Sequence, residues 1–272
     1  MTSAAGAGGR PRVLVTNDDG VHAPGLTALA AALAGAGHDI VVVAPDDDRS
    51  GAGAGIGPVH AGEGIELVAV ELPGLEGVPA YGIGGPPALA VMAARLGAFG
   101  DPPVLVASGV NPGHNTGRSV LHSGTVGAAL TAANFGISGL AVSLGFDEPL
   151  HLDTAGAVAV AAAGWLFAAP RRTVLNVNVP NLPLRDVAGV RWARLAPFGT
   201  VRAALADGGN GRLQIELQAT DVEVDPDTDT ALVGAGYVTV TGLTGVRATE
   251  PTDAAETIAV ALGDHLLSRP RS

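Results

Sequence analysis

The stretch Val13-Leu14-Val15-Thr16-Asn17-Asp18-Asp19-Gly20 decides the fold, because a short apolar strand runs directly into two adjacent carboxylates. Continuous apolar strands are typical of parallel sheets that are covered on both faces. An acidic pair at the carboxyl end of such a strand lies where open α/β sheets bind ligands, and oxygen ligands suit a hard divalent cation such as Mg²⁺ or Mn²⁺. Asn, Asp and Gly also form ordinary turns, so this motif alone leaves both interpretations open.

The composition indicates a globular protein and excludes several classes of function. The chain has no cysteine, which excludes disulfides and thiolate metal sites, and its net charge of -11 argues against a nucleic-acid polymer as partner. Lysine is absent, so all 15 basic residues are arginines. The longest apolar run, residues 155–169, is too short to span a bilayer, and residues 1–12 do not resemble a secretory signal. We therefore expect no membrane partner and a cytoplasmic location.

Alternation of Val/Leu/Ile runs with Ala/Leu-rich stretches through the first 180 or so residues is typical of βαβ units. It predicts an α/β fold, a three-layer Rossmann-like sandwich with a mainly parallel sheet and a C-terminal β-hairpin extension. The predicted strands are 13–16, 40–44, 65–70, 104–107, 140–144 and 174–179. The predicted helices are 26–34, 87–96, 125–134 and 154–167.

The later part of the chain has a different pattern. Strands are predicted at 191–195, 212–218 and 237–241, with a closing amphipathic helix at 252–267. We interpret residues 1–12 as a flexible tail and 13–272 as a single domain. Within it we expect a core at 13–185, an antiparallel oligomerisation region at 186–250 and the closing helix at 251–268.

Three polar loops follow strand ends at residues 17–25, 45–51 and 108–117. In a doubly wound sheet these loops converge on one rim. Oxygen ligands from the three loops would form an incomplete shell that leaves room for water and substrate. These candidate ligands are Asp18, Asp19, Ser50 and Asn111.

Further residues near these loops suit a phosphate group. Ser123, Gly124 and Thr125 open a helix, whose free N–H groups favour phosphate oxygens, although Ser and Thr also serve as ordinary helix caps. His114 is a candidate proton donor, and Arg49 is the fixed cation nearest to Ser50. Residues 51–57 lack the Lys of an NTPase loop, and the first βα turn lacks the glycine fingerprint of a dinucleotide fold.

Four spaced motifs together resemble the SurE family of metal-dependent nucleotidases. They are Asn17-Asp18-Asp19-Gly20-Val21-His22-Ala23-Pro24-Gly25, Pro45-Asp46-Asp47-Asp48-Arg49-Ser50-Gly51, the segment 108–117, and Ser123-Gly124-Thr125-Val126. The segment Leu175-Asn176-Val177-Asn178-Val179-Pro180 resembles a strand of the family, and Thr228-Asp229-Thr230 followed by Gly236-Tyr237-Val238-Thr239-Val240-Thr241 resembles its C-terminal hairpin. The resemblance spans most of the chain in order.

This resemblance implies one divalent cation per subunit, Mg²⁺ or Mn²⁺, on the four candidate ligands. It implies hydrolysis of nucleoside 5′- or 3′-monophosphates to nucleoside and phosphate, with Asn115 and the segment Ser123 to Thr125 near the phosphate. Proton handling falls to Asp19 or His114. Subunits of the family pair through an exchanged C-terminal hairpin, which implies a homodimer or homotetramer.

The sequence departs from the family pattern mainly around the substrate. The segment Gly84-Gly85-Pro86-Pro87-Ala88-Leu89-Ala90 lacks the family's Thr and Asp, and Gly117-Arg118-Ser119 replaces Gly-Asp-Asp. An alternative is therefore a catalytically weak nucleotide-binding or oligomeric protein that retains the metal site. A glycosyltransferase with an Asp-Asp metal site is a weaker alternative, since it would need a second nucleotide-binding domain.

Overall fold

The computed structural model describes residues 10–57, 59, 64–197, 201–207, 213–219, 224–248, 250 and 252–262. The strands are β1 (Arg12–Thr16), β2 (Asp39–Pro45), β3 (Leu67–Ala69), β4 (Ala80–Ile83), β5 (Leu105–Pro112), β6 (Ser138–Leu144), β7 (Val174–Val179), β8 (Gly189–Trp192), β9 (Val201–Asp207), β10 (Leu213–Ala219) and β11 (Tyr237–Leu243). The helices are α1 (Pro24–Gly35), α2 (Pro87–Arg95), α3 (Gly124–Asn134), α4 (Leu152–Ala168), α5 (Asp229–Gly234) and α6 (Ala254–Leu262). Short 3-10 turns lie at Gly117–His122 and Leu184–Asp186.

Nine strands form one mixed sheet in the order β3-β4-β2-β1-β5-β6-β7-β11-β8. The six strands from β4 to β7 in this order are mutually parallel. β3 is antiparallel to β4, and β11 is antiparallel to β7 but parallel to β8. The strands β9 and β10 form a separate antiparallel pair.

Helices cover both faces of this sheet, so the predicted three-layer Rossmann-like α/β fold is confirmed. Alternation along β1 shows how its sequence builds both layers: Val13 and Val15 join the core under α1 and α4, and Leu14 joins the core under α2 and α3. All three side chains are fully buried, which explains why positions 13–15 of the strand are all apolar.

Most of the predicted elements in the first 180 residues are confirmed, with boundaries that differ by a few residues. The predictions missed the strands β4 and β9 and the helix α5. The segment 228–241, which resembles the family's C-terminal hairpin, forms α5 and most of β11, and β11 joins the main sheet. The region after 185 is not simply antiparallel, because β11 and β8 extend the main sheet and pair in parallel. The closing helix is described from Ala254 to Leu262, and the remainder of its predicted range lies outside the described residues. The proposed division of the chain into regions stays a prediction.

Within the described ranges, no helix is both long enough and apolar enough to cross a membrane.

Candidate functional site

The candidate site lies at the carboxyl ends of β1, β2 and β5. The strand order reverses at β1, since the chain continues to β2 on one side and later adds β5 on the other. Ligands bind at such a switch point, in the crevice outside the carboxyl ends of the strands. All three predicted loops start here, so the sequence-based expectation of a common rim agrees with the topology.

Asp18 is the most strongly held residue of the site. Its side chain is 4% exposed, and both carboxylate oxygens accept hydrogen bonds from the start of α3. The Thr125 hydroxyl donates to Oδ1 at 2.5 Å, and the Gly124 N–H donates to Oδ2 at 3.0 Å. Burial raises the pKa of Asp18, and these hydrogen bonds oppose that rise. The N-terminus of α3 therefore holds a protein carboxylate, which satisfies one of the backbone N–H donors that a helix end exposes and also accepts from the Thr125 hydroxyl.

Gly124 permits this approach because it has no side chain. A Cβ placed on it would lie 2.6 Å from Asp18 Oδ2 and 2.7 Å from Asp18 Cβ. Ser123 caps the same helix, since its hydroxyl oxygen accepts the Val126 N–H at 3.1 Å. Of the residues predicted to hold phosphate, Gly124 and Thr125 thus contact Asp18, and Ser123 acts as the cap. The donors that the sequence predicts for a phosphate are therefore present at the start of α3, but in this structure Gly124 and Thr125 donate to the Asp18 carboxylate.

Asn111 lies on the same side of the site. Its Oδ1 is 3.5 Å from the Thr125 hydroxyl, and its side-chain N–H donates to the Gly113 carbonyl at 2.6 Å. The second bond fixes the orientation of the amide, with the oxygen left toward Asp18 and Thr125. The Thr125 hydroxyl therefore links Asp18 and Asn111, two of the four predicted ligands, although their loops lie about 90 residues apart in the sequence.

Asp19 is notable for a strongly raised pKa. Burial, followed by the charges of Asp18 and Asp48, raises the pKa of Asp19 to about 7. Its Oδ2 is buried and has no hydrogen-bond partner among the described residues. A buried carboxylate oxygen without a donor is costly unless a cation or a proton compensates it.

Among the described residues, the Ser50 side chain hydrogen-bonds to Asp48 and to none of the other candidate ligands. Its hydroxyl and its N–H both donate to Asp48 Oδ1, at 2.6 and 2.8 Å, and they lower the pKa of Asp48. Asp48 is nevertheless close enough to raise the pKa values of both Asp18 and Asp19. The second loop therefore contributes a third carboxylate to the site, which was not among the candidate residues named from the sequence.

Arg49 is tied to this loop by two kinds of contact. Its backbone N–H donates to the Asp18 carbonyl at 2.7 Å, and its guanidinium pairs with Asp47 at 2.7 Å and Asp46 at 3.7 Å. Exposed ion pairs contribute only about 0–1 kcal/mol, so a phosphate group can compete for this guanidinium.

His114 is placed differently from its predicted role. Its Nε2 is 2.9 Å from the Val179 carbonyl, an acceptor, so this nitrogen carries the proton and donates it to β7. Burial lowers the pKa of His114, which keeps the ring neutral. The geometry therefore does not favour His114 as a cationic phosphate ligand or as the proton donor.

Asn115 lies at the centre of a hydrogen-bond network with β6 and β7. Its N–H donates to Asn178 Oδ1 at 2.8 Å, and its carbonyl accepts from the side chains of Asn176 and Asn178 at 2.8 and 3.0 Å. Its own amide donates to Ser143 Oγ at 2.8 Å. The asparagines of the strand motif, whose role the sequence did not reveal, thus position the third loop.

The donor set fits a hard divalent cation. Within the described ranges no three His, Cys, Asp or Glu side chains are grouped as a metal site, so a cation would need the neutral oxygens of Asn111 or Ser50 beside the carboxylates. Carboxylate, amide and hydroxyl oxygens are the ligands that Mg²⁺ and Mn²⁺ prefer. This fit is supported by the buried Asp19 Oδ2, which has no hydrogen-bond partner among the residues that the structure describes.

The chain is similar to known proteins in sequence and in structure. A family model described as Survival protein SurE matches residues 13–200. The protein named 5'/3'-nucleotidase SurE from Salmonella newport is 40% identical over 241 residues, which cover 85% of this chain and 89% of that protein. The protein of the same name from Cronobacter sakazakii is 38% identical over the same shares. The crystal structure of the Sure protein from Aquifex aeolicus matches with a TM-score of 0.74 at 28% identity, covering 95% of this chain and 100% of that one.

Proposed function

The chain belongs to the SurE family, and from this premise we propose that it is a phosphoric monoester hydrolase that converts nucleoside 5′- or 3′-monophosphates to nucleoside and phosphate with one divalent cation. The observation that best supports the proposal is the convergence of Asp18, Asn111 and the start of α3 at the switch point of the sheet. The names of the relatives supply the substrate class, because they describe 5'/3'-nucleotidases.

We assign the cation to Asp18, Asp19 and Asn111, and the Ser50 hydroxyl, which donates to Asp48 in this structure, would be the fourth ligand. When bound, Mg²⁺ or Mn²⁺ would offset charge on the phosphoryl oxygens and make a nearby water a better nucleophile. Asp18 needs no rearrangement, since Thr125 and Gly124 already fix both of its oxygens. A charged group that is already held in its reactive position stabilises the transition state without a cost of reorganisation, and this is a main source of electrostatic catalysis.

Proton handling falls to Asp19 in this proposal. Its Oδ2 is buried and has no hydrogen-bond partner among the described residues, so this oxygen is the one available to accept a proton. His114 is the weaker candidate because its Nε2 proton is committed to Val179. Asn115 positions the third loop through its hydrogen bonds, and the partly exposed Arg49 guanidinium is the cation available to the phosphate.

Phosphate release from purified protein tests the proposal. We expect turnover of nucleoside monophosphates with Mg²⁺ or Mn²⁺ and its loss in EDTA. Asp18→Asn and Asp19→Asn should each reduce turnover at least about a hundredfold, the scale of removing a transition-state charge contact, while the exposed control Asp101→Asn should not. No turnover of any phosphate monoester with any divalent ion would contradict the proposal. Nucleotide-dependent thermal stabilisation without turnover would support the alternative of a binding protein.

We also propose that the chain forms a homodimer or homotetramer through the β9–β10 hairpin. This pair hydrogen-bonds within itself and does not join the main sheet. An isolated two-stranded hairpin is marginally stable in water, so packing against another copy would stabilise it. A cytoplasmic location stays a prediction from the sequence.

A further inference from the structure

A cavity of about 290 Å³ opens beside Asp19 on the face of the sheet that carries α1 and α4. Its walls come from the start of α1, the end of β5, the end of β6 and the loop that leads into α4. Asp19 is the one lining residue with a polar side chain among the described residues, and the rest of the wall includes Ala23, Val110, Leu150 and Leu152.

The two aspartates border different parts of the site. Asp18 contacts Thr125 and Gly124 on the side of α3, and Asp19 lines the cavity beside α1. The site therefore has a polar half, where hydrogen-bond donors and carboxylates gather, and an apolar half that begins at Asp19. A ligand that extends across both halves needs one charged end and one uncharged end.

The packing of α1 fixes how close this cavity lies to the polar half. Gly25 allows α1 to approach β5, because a Cβ on it would lie 2.0 Å from the Val110 carbonyl oxygen. That close contact brings the wall formed by Ala23 and Pro24 next to the loop that carries Asn111. Helix and strand thus set the spacing between the two halves.

We propose that this cavity is the leaving-group subsite, and that it binds the uncharged ring-containing alcohol of a phosphate monoester by apolar contact. This inference rests on the proposed function, and it adds the position of the leaving group. The volume is at the lower end of the roughly 300–1,000 Å³ of small-molecule pockets, which fits one nucleoside or a smaller ring alcohol. The aliphatic wall offers no cation, so a second charged group would gain nothing there.

Leu150 and Leu152 are the specificity-determining residues in this account. Both are half-buried and pack against the core from the loop before α4 and its first turn. Neither lies in the loops that carry the candidate ion ligands, so a change in either side chain alters the apolar half alone. An apolar contact of this kind discriminates ligands by ring size and burial, typically about tenfold for one lost aliphatic contact.

The test compares two substrates in three proteins, with the divalent ion present throughout. The substrates are a nucleoside monophosphate and glycerol 2-phosphate, which has no ring. Leu150→Asn should lower kcat/KM for the nucleotide about tenfold and change that for glycerol 2-phosphate less than about twofold. Leu96→Asn, the same change at an exposed leucine on the opposite face, should alter neither value.

Equal losses on both substrates in Leu150→Asn would overturn the subsite while leaving the proposed hydrolase intact. Absence of turnover on both substrates in the unaltered protein would overturn both inferences. A second measurement needs no variant: the free nucleoside should inhibit hydrolysis of glycerol 2-phosphate competitively in the unaltered protein. No inhibition at millimolar nucleoside would also overturn the subsite, whether or not Leu150→Asn folds.

Discussion

Asp19 links stability to pH at the scale of a single residue. Its pKa rises from 3.8 to about 7 in the folded chain, first because of burial and then because of Asp18 and Asp48. Between these two values the folded state holds a proton that the unfolded state has released. The contribution of Asp19 to stability is therefore complete below about pH 4 and is lost as the pH rises through about 7.

We predict that the metal-free protein loses stability relative to Asp19→Asn as the pH rises from 5 to 8. The check is urea unfolding in EDTA across this range, and the quantity compared is the free energy of unfolding of the unaltered protein minus that of the variant. A difference that stays constant from pH 5 to 8 would contradict the raised pKa. Addition of Mg²⁺ should remove most of the loss, since a cation compensates the ionised carboxylate.

Gly124 packs so closely against Asp18 that a side chain at this position would clash with it. We predict that Gly124→Ala destabilises the fold by about 1–3 kcal/mol, as overpacking of a tight contact does, and lowers turnover because the new methyl group displaces Asp18. Gly164→Ala is the matched control: it lies in α4 with nothing within 4 Å of the added Cβ, and it should stabilise by about 0.5–1 kcal/mol. Thermal unfolding and phosphate release measure both effects. Equal behaviour of the two variants would show that the contact with Asp18 is unimportant.

At the scale of elements, Asp229 joins distant parts of the chain. Its carboxylate is fully buried at the start of α5 and accepts N–H donors from Gly117, Ala196 and Thr230, each at 2.9 Å. Gly117 begins the 3-10 turn that leads into Ser123 and α3. The C-terminal part of the chain thereby holds in place the segment that fixes Asp18.

We predict that Asp229→Ala destabilises the fold by about 2–4 kcal/mol, because it leaves more than one buried N–H without an acceptor. The exposed control Asp101→Asn should change stability by less than about 0.5 kcal/mol. Urea unfolding gives both values. If Asp229→Ala unfolds at the same urea concentration as the control, the carboxylate does not organise this junction.

The sequence predicts elements well where a pattern is long and uniform. The apolar runs of β1, β2 and β7 and the Ala/Leu periods of α1 and α4 suffice, because each buries a continuous surface. It fails at β4, where a four-residue strand contains Gly82, and at β9, whose repeated alanines favour a helix locally. In both cases pairing with another strand overrides local preference.

At the scale of the whole molecule, the proposed homodimer or homotetramer would form through surfaces that are exposed in a single chain. Besides the separate hairpin, an apolar groove of about 460 Å³ lies between α4 and the strands β7, β11 and β8. Its wall includes Trp165 and Trp192, which are 56% and 66% exposed. Exposed apolar patches of this kind mark interaction surfaces in soluble proteins.

We predict that replacing residues 201–219 with a short Gly/Ser linker lowers the molar mass in solution to that of one chain. Light scattering coupled to size-exclusion chromatography measures it, with the unaltered protein at the same concentration as reference. An unaltered protein that is already monomeric would contradict the proposed assembly, and so would an unchanged multimeric mass in the variant.

The site itself was predictable in outline because parallel strands end at one edge. The order of the motifs therefore indicates that Asp18 and Asn111 converge, and the structure links them through Thr125. The sequence does not reveal that Gly124 and Thr125 hold a carboxylate, or that Ser50 pairs with Asp48, since both depend on loop geometry. The apolar cavity depends on packing between four separate elements and has no sequence signature.

The central claim is that Asp18, Asp19 and Asn111 share one hard divalent ion at the switch point of the sheet. Anomalous diffraction from a crystal soaked in Mn²⁺ tests it most directly. We predict one manganese peak within about 2.0–2.5 Å of oxygens from all three side chains, and its absence in Asp18→Asn crystals soaked in the same way. A crystal of the unaltered protein with no peak between these side chains, or with manganese bound only elsewhere, would contradict the account.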